Sequence, residues 1–323
     1  MEYELSRSYD AESKLFPPFD IKSSIMDVCL FSYVSLHKCI CESYSCISII
    51  DDFISKGGKS LLSASYDLES SYSTLKLYDT FSNHFKGVVK IGLGIHPKCY
   101  AYNTNLLHNI TSLSKLDSTF RMIEELVKNN IQKISAIGET GIDYKWIKED
   151  KSLNVDQLEE LISLQKISLK KHIHLALKYD LPMTLHSRDI EGSDQAINDL
   201  LKIVCQEGNG ILKGVFHSYT GAGYLLKDIL SVGMGIGING IITYKSGDNV
   251  RIIAKHVPAE SLFLETDGPW LAPQSKRAGK SKVKYATPSD ILEIAEHVAS
   301  ARGESLDHIL ELNKDNFHSM FGN

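Results

Sequence analysis

Cysteine is scarce in this chain, and net positive charge and long apolar runs are missing altogether. Six cysteines among 323 residues cannot form the dense framework that staples small secreted domains, and in a reducing compartment they are expected as free thiols. His37, Cys39, Cys41 and Cys46 lie close enough in sequence to suggest a zinc clip. The zinc spacings that recur join two such halves, however, and no second half follows. The formal charge is −5, so bulk attraction to a polyanion is excluded and any nucleic-acid contact must come from a local patch. No apolar run approaches the length of a bilayer span, and the amino terminus lacks the basic-then-apolar order of a signal peptide. An intracellular chain, cytoplasmic or nuclear and without a membrane partner, is the expectation.

What is present has the balance of a globular protein. The chain is 43% hydrophobic and 23% charged, and its length suits one large α/β barrel or two ordinary domains. Residues 1–24 are polar, contain Pro17-Pro18, and read as an extension before a single domain over residues 25–323. From there short apolar strands alternate with helical patterns. Strands are expected over residues 25–30, from 61, over 88–93, into Glu139, over 182–185, 214–216, 234–238 and 262–264. Helices are expected over residues 47–56, 68–85, 120–128, 158–179, 195–206, 224–231, 250–256, 288–300 and 306–321. Alternation of this kind means βα units and a parallel sheet. Eight strands are the number that closes a (β/α)8 TIM barrel, whose chemistry sits at the carboxyl ends of the strands.

Those ends carry side chains able to bind a metal. An apolar strand runs into Gly138-Glu139-Thr140-Gly141, where the glycines predict a turn directly after the strand. Another runs into His186-Ser187-Arg188, a third into His217, and the last into Glu265-Thr266-Asp267-Gly268-Pro269. Glu139, His186, His217 and Asp267, converging on one face, would bind a divalent ion. A set of oxygen and imidazole ligands suits Zn2+, Mn2+ or Mg2+ without choosing among them. His96 also falls at a strand end, before Pro97.

Five pieces in order, Gly94-Ile95-His96-Pro97, Gly138-Glu139-Thr140-Gly141-Ile142-Asp143, His186-x-Arg188, Phe216-His217-x-Tyr219-Thr220-Gly221 and Glu265-Thr266-Asp267-Gly268-Pro269, resemble the TatD family of metal-dependent deoxyribonucleases. The resemblance covers roughly residues 25 to 322. It implies a metal-dependent hydrolase of phosphodiester bonds, exonucleolytic on DNA, with one or two divalent ions per chain. It also implies that Glu139 touches two metals, that Asp267 holds one and helps activate water, and that His96 faces a substrate phosphate. A turn histidine of purely structural use is the alternative for His96. Arg188 could clamp a phosphate or pair with a carboxylate such as Asp143.

Two departures from the family pattern stand out. Where many members carry Asp-x-His-x-His in the first strand, this chain has Asp27-Val28-Cys29-Leu30-Phe31, and Phe31 cannot bind a metal. Where many carry Arg-Asn-Glu-Pro before the last long helices, it has Tyr285-Ala286-Thr287-Pro288. A basic run, Lys276, Arg277, Lys280, Lys282 and Lys284, follows the last strand and would rim the active face, contacting the DNA backbone. A solvated loop is its alternative. His172 and His174 resemble a metal-binding His-x-His, but inside a helical pattern they point about 200° apart, so both are read as helix-surface residues. The partner expected is DNA, as a single strand or a duplex end, met by a monomer. The rival from the same fold is hydrolysis of a small amide, ester or lactone. The strand-one histidine pair and carboxylated lysine of such enzymes are not visible here.

Overall fold

The computed structural model describes residues 29–32, 43–82, 85, 87–102, 109–278 and 285–322, those before residue 47 by backbone alone. Eight parallel strands pair in chain order: β1 Cys29–Ser32, β2 Leu61–Ala64, β3 Val89–Leu93, β4 Ile134–Asp143, β5 Met183–Arg188, β6 Gly214–Phe216, β7 Met234–Ile238 and β8 Leu262–Leu264. β1 and β8 touch, so the sheet curls round into the expected barrel, with helices between successive strands. Among the described residues no helix is long and apolar enough to cross a membrane.

The two faces of the strands fill two cores. Leu62, Ala136, Val215 and Phe263, from β2, β4, β6 and β8, form one buried cluster with Phe317 and Phe321 of the last helix, Leu306–Phe321. Four side chains from alternate strands make one layer of a barrel interior, and the two phenylalanines pack against it. Their strand neighbours, such as Leu61, Ile137, Phe216, Leu262 and Leu264, belong to the larger core between sheet and helices. Alternate residues of a strand point to opposite faces, which is why Phe263 and its neighbours part company.

Several boundaries move from where the sequence placed them. The described part of the first strand is Cys29–Ser32, two residues past its expected end, with Cys29 in register with Leu61 and Phe31 with Ser63 of β2. Residues 25–28 lie outside the described residues, as do residues 1–24 and the cysteines Cys39 and Cys41. The helix expected over 120–128 is Leu113–Asn129, begun by the Ser112 side chain accepting from the Lys115 amide. The buried face Leu116, Phe120, Ile123 and Val127 keeps helical spacing from the first turn on, so the apolar period reaches one turn further back than the expected start.

β4 is the larger correction. No turn follows Glu139; the strand runs on through Asp143, with its register against β5 shifted between Ile137 and Thr140. Gly138 (φ 140°) and Gly141 (φ 150°) kink the strand without ending it. A Cβ on Gly141 would lie 2.0 Å from the His186 carbonyl oxygen, so only glycine lets β4 and β5 approach here.

The helix Val155–Tyr179 begins with a capping box of Asn154 and Gln157 and crosses β4. His174 is on its surface as expected, but His172, expected there as well, is fully buried. The helix buries a wide arc (Ser168, Leu169, His172, Ile173, Leu175, Ala176), and residues about 200° apart cannot both face water when that arc is covered.

Candidate metal centre

All five candidate side chains stand at the carboxyl end of the barrel. His96 caps a short 3-10 turn after β3, Glu139 sits at the kink of β4, and His186 lies within β5. His217 follows β6, and Asp267 lies three residues beyond β8 in a left-handed conformation (φ 50°). Parallel strands deliver their ends to one face, which is why residues this distant in sequence meet.

Glu139 is the centre of the group. Its Oε1 lies 3.0 Å from His186 Nδ1, 3.2 Å from His96 Nε2 and 4.0 Å from His217 Nε2. Asp267 Oδ1 completes the far side, 3.1 Å from His217 Nε2. His96, Glu139 and His186 bring one ligating atom each within 4.8 Å of one another. Each of the other two histidines is gripped from behind. His186 Nε2 lies 3.2 Å from Asp143 Oδ2, and His217 Nδ1 lies 2.8 Å from Glu265 Oε2. Asp143 and Glu265 are fully buried. A carboxylate on one ring nitrogen fixes the tautomer and aims the other nitrogen as a ligand.

His96 differs. Its Nδ1 accepts the Lys98 amide at 3.1 Å, so in the neutral ring the proton sits on Nε2, facing Glu139. Burial pushes its pKa down to about 4, against the attraction of Glu139, so the ring is neutral near pH 7. A neutral imidazole with Nδ1 accepting and Nε2–H donating is a hydrogen-bond donor rather than a ligand. Proximity alone groups His96 with Glu139 and His186 as a candidate ligand; the amide bonded to its Nδ1 favours a donor instead.

The charges agree with a cation site. Burial alone would raise Glu139, but His96, His217 and His186 outweigh it and hold the carboxyl well below the usual range. Burial alone would lower His217, yet Glu265, Glu139 and Asp267 hold it well above an ordinary imidazole, and bonds to Asp143 and Glu139 raise His186 likewise. Asp143 is held below its usual range by His186 and Arg188 in spite of burial. A pocket that raises two buried imidazoles carries an excess of negative potential. A divalent cation on the same atoms would replace those protons. The donor set of carboxylate oxygens and imidazole nitrogens fits such an ion.

Arg188 lies two residues past His186, and one guanidinium nitrogen stands 3.1 Å from Asp143 Oδ2. Between the two roles open to it, the structure shows the carboxylate pair, with the guanidinium half exposed beside a cavity of about 490 Å3 lined by Ser187, Tyr219, Thr220 and Asn249. Lys276 Nζ is bound 2.7 Å from Asp290 and reaches Thr287, and Arg277 covers the Tyr244 ring. Lys276 therefore ties the loop after β8 to the Thr287 turn instead of standing free at the rim. Lys280, Lys282 and Lys284 lie outside the described residues. At the second departure from the family pattern, Thr287 and Asp290 form a capping box that starts the helix region at Pro288.

Sequence reasoning did not single out Glu265 or assign Asp143 its part. Both had a local signal. Glu265 precedes Asp267 by two residues, and Asp143 closes the Gly-Glu-Thr-Gly-Ile-Asp stretch.

Comparison with known proteins follows the same lines. The TatD related DNase family model matches residues 45–322. An uncharacterized metal-dependent hydrolase of Buchnera aphidicola is 28% identical over 81% of this chain and 86% of its own length. A 3'-5' ssDNA/RNA exonuclease TatD of Erwinia amylovora is 30% identical over 58% of this chain and 66% of its own. Among solved structures, a TatD family hydrolase from Entamoeba histolytica superposes with a TM-score of 0.72 at 20% identity, covering 93% of this chain and 99% of that one.

Proposed function

This chain belongs to the TatD related DNase family, and we propose that it is a metal-dependent phosphodiesterase that degrades DNA from an end. The observation that carries the reading is the pair of histidines, His186 and His217. Each is held on one nitrogen by a buried carboxylate, and the other nitrogens flank Glu139. Glu139, His186, His217 and Asp267 would hold one or two ions among Mg2+, Mn2+ and Zn2+. A divalent ion there supplies acidity for a water and neutralises charge at a phosphate oxygen. His96 donates its Nε2–H toward the phosphate, and Asp267 accepts the proton of the attacking water. Arg188, at the mouth of the site, can turn its exposed edge to a neighbouring phosphate while Asp143 holds the other edge. Of the basic run, Lys280, Lys282 and Lys284 hold the strand beyond, Lys276 being taken up by Asp290. In this reading residues 25–323 are one catalytic domain of a monomeric intracellular enzyme.

The test is hydrolysis of end-labelled single-stranded DNA, duplex DNA and a nitrophenyl ester, each with and without added Mg2+, Mn2+ or Zn2+. Metal-stimulated release of nucleotides from a DNA end supports the reading. Ester hydrolysis with DNA left intact would replace it with the small-substrate alternative.

A further inference from the structure

One helix holds the backbone on both sides of His96. Gln165 and His172 are seven residues apart on Val155–Tyr179, two turns along one face, and both are fully buried. His172 Nε2 accepts the amide of Ile95 at 3.1 Å, and Gln165 Nε2 donates to the carbonyl of Pro97 at 3.0 Å. Ile95 and Pro97 are the residues before and after His96. Gln165 reaches β4 as well: its Oε1 accepts the Asp143 amide at 2.9 Å, and its Nε2 lies 3.3 Å from the Asp143 carbonyl oxygen.

Because His172 Nε2 is an acceptor, its proton sits on Nδ1, which lies 2.8 Å from the Ser168 carbonyl oxygen. Burial holds this ring's pKa down at about 4, so it is neutral near pH 7. Buried polar side chains cost stability unless every group is satisfied, and an apolar pair would cover the same surface. These two instead meet four backbone groups of the segments that carry His96 and Asp143.

We propose that Gln165 and His172 are positioning residues, a two-point anchor that fixes the turn at His96, aims its Nε2–H at the reaction centre, and couples that turn to the Asp143 end of β4. The proposal rests on the reading of His96 as a donor to the substrate phosphate.

The experiment is a double-mutant cycle with metal saturating and DNA as substrate. His172→Leu should lower kcat about 10- to 100-fold, the loss expected from misplacing a catalytic group by about 1 Å, with KM within about twofold. His172→Gln, which returns an acceptor near the Nε2 position, should recover most of that loss. In a His96→Ala background the same substitutions should have almost no further effect, since they act through His96. An unchanged kcat in His172→Leu, or an equal loss with and without His96, would make the anchor a mere satisfier of backbone groups and overturn the proposal. Gln165→Met removes the other anchor and carries the same cycle should the leucine variant fail to fold. Nitrogen NMR of the His96 ring, assigned by its loss in His96→Ala, reads the Nε2–H tautomer directly. If the wild-type protein leaves DNA intact, the nuclease reading fails, and the proposal is still decided by that spectrum: a tautomer fixed in the wild type and mixed in His172→Leu supports it, and no change overturns it.

Discussion

Replacing Glu265 by glutamine probes the histidine orientation with little change of shape. The Glu265 carboxylate accepts on both oxygens, from His217 Nδ1 at 2.8 Å and from the Ser218 amide, in a site with no exposure. An amide has one oxygen, so in Glu265→Gln either the His217 N–H or the Ser218 N–H faces an NH2 group. An unsatisfied buried donor costs about 1–3 kcal/mol. His217 also loses the charge that makes it a stronger ligand, and loss of such a partner typically weakens metal affinity 10- to 100-fold. That factor corresponds to about 1.4–2.7 kcal/mol. Titration of the metal-stripped protein with Mn2+ or Zn2+ by calorimetry, beside thermal unfolding, measures both quantities. Affinity equal to the wild type, in a folded variant, would refute the claim that Glu265 orients His217 as a ligand.

Other predictions concern the rim, strand one and pH. Changing Lys280, Lys282 and Lys284 together to serine should weaken DNA binding and flatten its salt dependence, by a slope of about 0.7 for each phosphate no longer neutralised, while hydrolysis of a small phosphodiester hardly changes. Wild-type affinity and salt slope in that variant would make the run a solvated loop. Because Cys29 and Phe31 stand where many relatives have histidines, calorimetric titration should find one metal bound more weakly than the other; two equal sites would count against this. His172 has a pKa of about 4 in the fold against 6.5 for an ordinary imidazole, so between those values the unfolded chain takes up a proton that the native state refuses. Stability should therefore fall as pH drops through that window, by about 3 kcal/mol from this group when complete. Denaturant midpoints of His172→Gln should show a shallower acid dependence than the wild type, and equal slopes would reject the assignment.

The barrel was legible because each strand is a short apolar run closed by chemistry-bearing residues, and parallel strands leave no choice about where those ends meet. The placement of His186, His217, Asp267 and His96 at that face was read on that basis. The extent of β4 was not, since Gly138 and Gly141 signal a turn as readily as a kink, and only the approach of β5 decides. His172 was misplaced because its partner, the Ile95 amide, lies 77 residues away, and helical period alone does not say which face is covered. The sequence showed the charges of Lys276 and Arg188, but not the carboxylates of Asp290 and Asp143 that bind them.

Glu139 is the residue on which the account turns, since one of its oxygens lies near all three histidines of the site. The most direct measurement is therefore the metal dependence of single-stranded DNA hydrolysis by the wild type and by Glu139→Ala, with circular dichroism to confirm that both are folded. The account predicts hydrolysis that rises with added Mg2+, Mn2+ or Zn2+ and is abolished by chelation in the wild type, and none above background in the folded variant at any metal concentration. Full metal-stimulated hydrolysis by Glu139→Ala would contradict it.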